Sequence, residues 1–189
     1  FILGAAASAW QTEGWSGKKA GQDSWPDLWY KNDRRVWHNG YGPAVATDFI
    51  NRFREDVQLM KLAGLTHYRT SINWSRFLTD YENVTVDEDY AAYYDQLFDE
   101  LLANGIEPMI CLEHYELPGY LLEQYGGWAS KKVVELFVQY AEKVFARYHH
   151  KVTRWFTFNE PIVVQTRVYL DALRWPYEQN TGTWMQWNH

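Results

Sequence analysis

Three polar residues recur at one interval along this chain. Arg69, His114 and Asn159 lie in or directly after short apolar runs, and the two separations between them are both 45 residues. Strands joined by helices pair in parallel, and their carboxyl ends then lie at one face of the sheet. The spacing therefore predicts a regular (β/α) barrel in which these three side chains form one inward polar layer at the top.

Apolar runs that end at chain breakers predict four strands. These runs are Phe1 to Ala7, Leu65 to Ile72, Pro108 to Leu112 and Trp155 to Phe158. We expect the first and the last to be buried, because the first is small and apolar and the last is aromatic and β-branched. Pro161 ends the last run, since proline has no N–H for a strand ladder.

Three helices are predicted between these strands from apolar residues at helical spacing. Their stripes are Ile50, Phe53, Val57 and Met60; Tyr90, Tyr94, Leu97 and Leu101; and Val134, Phe137, Ala141, Val144 and Tyr148. Thr47 or Asp48 is expected to cap the first helix and Gly64 to end it, and Ser130 is expected to cap the third. A further helix is expected to begin within 163–173.

Residues 15 to 46 show no clear periodicity, and we expect a long irregular segment with packed tryptophans. A doubly wound sheet is the alternative to the barrel. That fold usually carries a glycine-rich phosphate turn after its first strand, whereas residues 5–11 are Ala-Ala-Ala-Ser-Ala-Trp-Gln. The α/β class with a (β/α)8 barrel is favoured. A complete barrel needs about 250 residues, so this chain of 189 supplies about four units.

Composition narrows the class of protein further. The hydrophobic fraction is 47%, the mean hydropathy is -0.50 and the net charge is -6, which favours a folded globular chain without a membrane span. We expect no nucleic-acid partner, because no basic patch is present. Cys111 is the single cysteine, so no intrachain disulfide is possible. It is expected to be a small buried hydrophobe rather than a nucleophile.

Four carboxylates stand near the predicted strand ends: Glu13, Glu113, Glu116 and Glu160. Cleavage of a glycosidic bond needs two carboxyl groups, one of them a proton donor. Glu160 follows an aromatic strand, where burial would raise its pKa as a donor requires. Asn159 beside it could hydrogen-bond a sugar hydroxyl. The alternative is that the pair is a solvated loop acid and a turn amide.

Two other hypotheses about the residues at the strand ends remain open. Glu113, His114 and Glu116 with His67 could supply metal ligands, but their spacing resembles no helical histidine pair, and we expect no metal and no cofactor. Arg69 could orient a carboxylate through a forked hydrogen bond.

Arg69 could instead form a structural ion pair with Asp56 or Glu55 of the preceding helix.

Five ordered motifs cover nearly the whole chain. They are Gly4-Ala5-Ala6 through Gln11-Thr12-Glu13-Gly14; Arg69-Thr70-Ser71-Ile72 with Trp74-Ser75-Arg76; Glu113-His114-Tyr115-Glu116-Leu117-Pro118; Gly126-Gly127-Trp128; and Thr157-Phe158-Asn159-Glu160-Pro161. In this order they resemble the N-terminal half of glycoside hydrolase family 1, the β-glucosidases and 6-phospho-β-glycosidases. The resemblance implies that residues 1–189 are the N-terminal half of a single TIM-barrel catalytic domain, with no separate second domain.

The resemblance also implies roles for five residues. Glu160 would be the general acid/base of a retaining mechanism, and Asn159 would hydrogen-bond the glycone 2-hydroxyl. Gln11 and His114 would bind other glycone hydroxyls, and Arg69 would hold the nucleophile carboxylate. The nucleophile would lie outside this chain, because no second Thr-Glu-Asn-Gly-like segment follows Glu160.

The third motif suggests a branch of the family. Many plain β-glucosidases carry His-Trp-Asp-Leu-Pro where this chain carries His114-Tyr115-Glu116-Leu117-Pro118, which is more similar to the 6-phospho-β-glucosidases. Those enzymes act in the cytoplasm on disaccharides phosphorylated during import, so the expected substrate is a 6-phospho-β-glucoside. A plain β-glucosidase and a 6-phospho-β-galactosidase are the alternatives.

A non-catalytic half barrel is the alternative from another class of protein. Four parallel strands leave two unpaired edges, which normally must be covered. The remainder of the barrel or a homo-oligomer would cover them, and we expect the 189 residues alone to be inactive.

Overall fold

Strands and helices alternate along the chain, as the 45-residue interval predicts. The computed structural model describes residues 2–189, so Phe1 of the first predicted strand lies outside the described residues. In chain order the elements are β1 (Gly4–Ala6), α1 (Ala9–Thr12), α2 (Trp25–Asn32), α3 (Phe49–Leu62), β2 (His67–Ser71), α4 (Trp74–Phe77), β3 (Leu78–Asp80), β4 (Thr85–Val86), α5 (Glu88–Ala103), β5 (Glu107–Glu113), α6 (Gly119–Tyr125), α7 (Lys131–Tyr148), β6 (Arg154–Phe158), α8 (Pro161–Gln165) and α9 (Thr181–Asn188).

Four parallel strands form the main sheet in the order β1-β2-β5-β6. The register places Ala6 beside Arg69, Ser71 beside Cys111, and Glu113 beside Phe158. Helices α3, α5 and α7 make the connections between successive strands. The chain therefore forms the first four β/α units of a TIM barrel, which confirms the predicted fold class. A small antiparallel hairpin of β3 and β4, which the periodicity did not predict, precedes α5.

The first and last strands are exposed, so the prediction that both are buried is wrong. All three residues of β1 are exposed, and in β6 exposed and half-buried residues are mixed, with Phe156 39% exposed. Each of these strands pairs with one neighbour only among the described residues. Hydrophobic composition reports that a residue is suited to a core, but burial also requires a second layer or strand on the other side.

The core lies between the sheet and the three long helices. Trp74 stacks on Tyr140 with ring centroids 5.3 Å apart, and both side chains are fully buried. The Tyr140 hydroxyl lies 3.0 Å from the carbonyl oxygen of Ile72 and 3.1 Å from that of Leu112, and donates to them. One side chain of α7 thereby joins the carboxyl ends of β2 and β5, directly beneath the loops that follow them.

The predicted helices exist and begin at the expected cap positions, Asp48 and Ser130, although neither side chain makes a capping hydrogen bond. Helix α3 begins after Asp48, whose backbone is left-handed (φ 56°) and whose carboxylate accepts a bond from Asn51 Nδ2 instead of capping the helix. The helix ends at Leu62, shortly before Gly64, where φ is +75°. Ser130 precedes α7, and its side chain makes no capping bond there.

The buried stripe of α7 is shifted from the predicted one. It consists of Val133, Leu136, Phe137, Tyr140, Val144 and Tyr148. Val134 is 47% exposed and Ala141 is half-buried, so these two assignments are wrong. The error arises because residues one position apart on a helix differ by about 100° around its axis, and both Val133 and Val134 are apolar.

The irregular segment 15–46 is ordered around one helix. Ser24 donates its backbone N–H to the Asp27 carboxylate at 2.9 Å, which completes a capping box at the start of α2. The Trp15 indole and Lys18 also donate to Asp27, both at 2.7 Å. A buried acid thus accepts hydrogen bonds from several polar groups of this segment, and the tryptophans Trp25, Trp29 and Trp37 pack on one another, as predicted.

The chain after β6 is helical, as expected. Helix α8 begins at Pro161 and continues into a π-helical turn over Thr166–Leu170, earlier than the predicted start within 163–173. Pro161 suits the first helical position because it has no N–H to leave unpaired. Among residues 2–189, none of the helices combines the length and the apolar character that crossing a membrane requires.

Candidate active site

A cavity of about 550 Å³ lies at the carboxyl ends of the parallel strands. All five predicted site residues line it: Gln11, Arg69, His114, Asn159 and Glu160. The remaining wall is mainly aromatic, with Trp10, Trp25, Trp29, Trp37 and Tyr115, and includes Arg174. The mixture of polar side chains and flat aromatic faces in this lining suits a ligand with hydroxyl edges and C–H faces.

Arg69 enters the cavity from a lower level than the other residues. In the sheet it aligns with Met109 and, through Met109, with Arg154, rather than with His114 and Asn159. Its long side chain bridges the difference, and Nη2 donates a 2.9 Å hydrogen bond to Asn159 Oδ1. The prediction that all three residues form one layer is therefore wrong for the Arg69 backbone, although its guanidinium reaches the others.

The guanidinium of Arg69 also lies over the ring of Phe156, at 5.2 Å from the ring centroid. Among residues 2–189, Arg69 forms no ion pair with Glu55 or Asp56 of the preceding helix, and Glu55 pairs with Arg52 at 2.9 Å. Arg69 thus points from β2 into the barrel interior, where a guanidinium can orient a carboxylate.

Glu160 stands at the junction of β6 and α8 in a left-handed conformation, with φ 44° and ψ 58°. The Tyr115 hydroxyl donates a 2.7 Å hydrogen bond to Glu160 Oε2. Tyr115 itself has φ +73°. Both residues are non-glycine residues held in a sparsely populated region, a condition that clusters at functional sites. Glu160 is exposed in the described chain, contrary to the expectation that the aromatic strand end buries it.

Tyr115 is a site residue that the sequence marked only as a difference between family branches. Burial, and next its hydrogen bond to Glu160, raises the pKa of the Tyr115 phenol, so it remains a donor at neutral pH. Asn159 Nδ2 lies 3.4 Å from the same hydroxyl. The separation of Tyr115 and Glu160 is again 45 residues, and this interval could have identified the contact.

His114 is a neutral imidazole in this cavity. Burial, and then the positive charge of Arg69, lowers its pKa to about 4. The side chain is 8% exposed, and Nδ1 has no hydrogen-bond partner among the described residues. A neutral imidazole in the lining of the cavity suits a hydroxyl ligand, which can both donate and accept.

Gln11 lies on α1, immediately after β1. The Ser8 hydroxyl donates a 2.7 Å hydrogen bond to Gln11 Oε1. This bond uses the amide oxygen and leaves the amide nitrogen as the donor for a ligand. The short helix α1 therefore directs one amide into the cavity beside the aromatic wall.

The other candidate carboxylates lie outside this cavity. Glu13 is buried and accepts hydrogen bonds from the hydroxyls of Tyr90, at 2.5 Å, and Tyr94, with Arg76 Nη1 at 3.7 Å. Burial raises its pKa despite these partners. Glu113 lines a separate apolar cavity of about 400 Å³, and burial raises its pKa to about 7. Neither carboxylate lines the cavity of about 550 Å³, although the cavity of Glu113 shares Tyr115 and Asn159 with it.

Glu116 is fully buried beneath the cavity. Its oxygens accept hydrogen bonds from Ser71 Oγ at 2.6 Å, His114 N at 2.9 Å and Trp10 N at 3.3 Å. Burial raises its pKa well above the ordinary value although these donors oppose the shift. Its acceptor positions are directed at protein donors, so Glu116 is not a free ligand group.

The geometry does not support the hypothesis that Glu113, His114 and Glu116 bind a metal together with His67. His67 lies at the start of β2, where it contacts Thr66 and Glu107, far along the strand from the cavity. Within residues 2–189, no three His, Cys, Asp or Glu side chains come together in a way that would hold a metal ion. Cys111 is buried as predicted, and burial raises the pKa of its thiol to about 12.

The parallel β/α units define part of a TIM barrel, and the cavity lies at the carboxyl ends of its strands, the face at which proteins of this fold class bind their ligands. The sequence model described as glycosyl hydrolase family 1 matches residues 1–189, and the chain belongs to that family.

Similar proteins include both phosphorylated-substrate and plain enzymes. The chain is 36% identical over 177 residues to the 6-phospho-beta-glucosidase GmuD of Bacillus subtilis (strain 168), covering 93% of this chain and 37% of the relative. It is 38% identical over 163 residues to beta-glucosidase 42 of Arabidopsis thaliana, covering 86% of this chain and 33% of the relative. The chain thus spans about a third of the length of these relatives.

Solved structures of family members superpose closely on the chain. The beta-glucosidase from Thermotoga maritima in complex with azafagomine matches with a TM-score of 0.90 at 29% identity, covering 99% of this chain and 42% of the other. The psychrophilic beta-glucosidase BglU from Micrococcus antarcticus matches with a TM-score of 0.89 at 35% identity, covering 99% of this chain and 39% of the other.

Proposed function

We propose that this chain forms the acid/base half of a retaining β-glycosidase, in which residues 1–189 are the N-terminal half of a single TIM-barrel catalytic domain. One observation carries the proposal. Gln11, Arg69, His114, Asn159 and Glu160 line one cavity at the carboxyl ends of the strands, the face on which TIM-barrel enzymes place their chemistry. Glu160 is the carboxylate among the described residues that line this cavity.

In the first step Glu160 acts as the general acid. Its carboxyl proton passes to the glycosidic oxygen while the bond from that oxygen to C1 of the glycone breaks. A second carboxylate, supplied from outside these residues, forms a bond to C1 on the opposite face. Arg69 is directed at that carboxylate, because its guanidinium points from β2 into the barrel and is already held by Asn159 at 2.9 Å.

In the second step Glu160 acts as the general base. It takes a proton from water, the water oxygen bonds to C1, and the bond from C1 to the second carboxylate breaks. Glu160 is then protonated again, as the first step requires. The Tyr115 hydroxyl, 2.7 Å from Glu160 Oε2, holds the carboxylate in place through both steps.

The glycone is held by neutral polar groups. Asn159 presents its amide to the 2-hydroxyl, and Gln11 and His114 bind other hydroxyls. The low pKa of His114, about 4, supports this role, because a neutral imidazole matches an uncharged hydroxyl. Trp10 and Trp37 contribute aromatic faces to the same wall.

The substrate is proposed to be a 6-phospho-β-glucoside formed during disaccharide import, hydrolysed in the cytoplasm. The supporting feature is Tyr115-Glu116 in the third motif, together with the similarity to 6-phospho-beta-glucosidase GmuD. Plain β-glucosidases are similar to the chain at comparable identity, so unphosphorylated glucosides are the matched alternative.

Hydrolysis of two aryl substrates tests both the proposed glycosidase activity and the proposed preference for a phosphorylated glycone. The intact protein should release the aryl alcohol from an aryl 6-phospho-β-glucoside with a kcat/KM at least about tenfold higher than from the aryl β-glucoside. Equal or reversed preference would identify a plain β-glucosidase, and preference for the galacto epimer a 6-phospho-β-galactosidase. Hydrolysis of none of these would contradict the proposed activity.

A matched pair of variants assigns the chemistry to Glu160. Glu160→Gln should lower kcat by about 10² to 10⁴-fold, the usual contribution of a positioned acid or base. Glu178→Gln removes an exposed carboxylate from the loop that follows α8 and should leave kcat unchanged.

Self-association is the remaining alternative, and the exposed edge strands β1 and β6 favour it. Sedimentation of the 189-residue chain decides this point, because a monodisperse monomer excludes a self-associating half barrel.

A further inference from the structure

One buried carboxylate joins the segments that carry the proposed sugar-binding groups. Glu116 is 0% exposed and accepts three hydrogen bonds, from Ser71 Oγ at 2.6 Å, His114 N at 2.9 Å and Trp10 N at 3.3 Å. These donors come from the end of β2, the turn after β5 and helix α1, which are separated by tens of residues in sequence. Glu116 is thus the common acceptor for three different parts of the rim.

Each donor lies beside a residue of the proposed glycone site. Trp10 precedes Gln11 on α1, Ser71 follows Arg69 by two residues on β2, and His114 is itself one of the site residues. The connection to α1 is double, since Ser71 Oγ also accepts a 2.8 Å bond from the backbone N–H at residue 9. A displacement of the Glu116 carboxylate would therefore move all three segments relative to one another.

We propose that Glu116 is a positioning residue, which fixes the relative placement of Gln11, Arg69 and His114 by accepting hydrogen bonds from the three segments that carry them. This inference rests on the proposed function, because it concerns the same glycone site. Glu116 does not line the cavity, so it acts only through its partners.

A carboxylate is the side chain that these partners require. All three are donors, and the Glu116 carboxylate accepts from them through both of its oxygens. A glutamine of the same shape would turn an N–H₂ group toward one of the N–H or O–H donors, which leaves a buried donor unpaired. An apolar residue would leave all three unpaired. The position therefore depends on the acceptor capacity of Glu116 and not only on its volume.

Asp87 provides the matched control. It is 2% exposed and its carboxylate likewise accepts three hydrogen bonds, from Lys19 Nζ, Gln22 Nε2 and Tyr90 N, at 2.6, 2.8 and 3.3 Å. It is not among the residues that line the cavity. Asp87→Asn therefore measures what the loss of a buried acceptor does to the fold alone, for comparison with Glu116→Gln.

The first readout is kinetic. On whichever aryl glycoside the wild-type protein hydrolyses, Glu116→Gln should lower kcat/KM by about 10²-fold, the cost of a small misplacement of binding groups. Asp87→Asn should leave kcat/KM within twofold of the wild-type value while lowering Tm. An unchanged kcat/KM in Glu116→Gln at a comparable loss of Tm would show that Glu116 is structural only and would overturn the proposal.

The second readout needs no substrate. NMR titration of the His114 imidazole should give a pKa near 4 in the wild-type protein, and Glu116→Gln should move it upward toward 6.5 as the ring becomes hydrated. Burial raises the pKa of Glu116 well above its ordinary value, so Glu116→Gln removes no charge near pH 4, and an upward shift reports the changed position and hydration of the ring. A downward or absent shift would overturn the proposal even if the protein hydrolysed no glycoside.

Ser71→Ala extends the test to a variant that keeps the carboxylate, in case Glu116→Gln fails to fold. The Ser71 hydroxyl bonds both α1 and Glu116. Its removal should therefore lower kcat/KM and raise the pKa of His114, but each effect should be smaller than in Glu116→Gln. The double variant should be no worse than Glu116→Gln alone within twofold, because both act through one network. Fully multiplicative losses, or no effect of Ser71→Ala, would contradict a shared positioning role.

Discussion

Arg69 Nη2 donates a 2.9 Å hydrogen bond to Asn159 Oδ1, although strand β5 lies between the strands that carry these two residues. The bond therefore crosses the barrel interior over β5. It uses the oxygen of the Asn159 amide and leaves the amide nitrogen as a donor beside Glu160. One contact thus sets the orientation of a proposed sugar-binding amide and of a guanidinium at the same time.

Arg69→Lys keeps the positive charge but not the forked geometry. Residue 69 lies lower on β2 than the other site residues, so a lysine side chain there contacts Asn159 Oδ1 less well than the arginine does. The lysine also loses the planar contact with Phe156. We expect kcat/KM to fall by about 10²-fold with little change in Tm. Arg52→Lys, at an exposed arginine paired with Glu55, is the control that should change neither quantity. Wild-type kcat/KM in Arg69→Lys would refute the role of the guanidinium.

Tyr115→Phe removes only the hydroxyl that contacts Glu160 Oε2 at 2.7 Å. A hydrogen bond to a charged group contributes about 1.5 to 3 kcal/mol, so kcat should fall by at least about tenfold. The fold should tolerate the change, because the phenyl ring remains. Tyr120→Phe is the matched control, since Tyr120 also donates to a carboxylate, that of Glu82 at 3.3 Å, but outside the cavity. Equal kcat values in both variants would show that the hydroxyl of Tyr115 is not used.

Glu113 makes stability depend on pH. Burial raises the pKa of Glu113 from 4.5 to about 7, so the folded state binds a proton that the unfolded state has released between these values. Its contribution to the free energy of unfolding is fully present below pH 4.5 and is lost as the pH rises through about 7, by at most about 3 kcal/mol.

Glu113→Gln stays uncharged, so it should flatten the fall of stability between pH 5 and 8 and be more stable than the wild-type protein at pH 8. The charge of Glu113 also raises the pKa of Glu116, so the difference between variant and wild type reports Glu113 together with its coupling to Glu116. Chemical denaturation at a series of pH values provides the measurement. If the free energy of unfolding falls in parallel with pH in the variant and the wild-type protein, Glu113 is not responsible for the pH dependence.

Tyr140→Phe should weaken the junction of β2 and β5. The hydroxyl donates to the carbonyl oxygens of Ile72 and Leu112, and the phenylalanine variant leaves these buried acceptors without it. We expect a loss of about 1 to 3 kcal/mol in the free energy of unfolding. Tyr41→Phe, at a tyrosine that is 79% exposed, should stay within about 0.5 kcal/mol. Similar losses in both variants would contradict the account of this junction.

The regular interval predicted the architecture because helix and strand lengths repeat in a barrel. It placed His114 and Asn159 correctly, since Glu113 pairs with Phe158 just before them. It could not show that Arg69 lies lower on its strand, because strand register is set by pairing along the whole sheet. The side chain of Arg69 compensates for this difference, which no sequence interval reveals.

Burial and hydrogen bonding were the least predictable features. The aromatic character of Trp155 to Phe158 indicated a core strand, but β6 is an edge in the described chain, and Glu160 beside it is exposed. The contacts of Glu160 with Tyr115 and of Glu116 with Trp10 depend on backbone conformations such as φ +73° at Tyr115. Such conformations follow from tertiary packing and not from the local sequence.

The role of Glu160 is tested most directly by chemical rescue of Glu160→Ala. With an aryl glycoside whose leaving group needs little protonation, the first step should still occur in the variant, whereas the second step lacks its base. Azide needs no deprotonation, so its addition should restore turnover and yield a glycosyl azide of β configuration. No rescue by azide, or an α-configured azide, would contradict the assignment of Glu160 as the acid/base of a retaining enzyme.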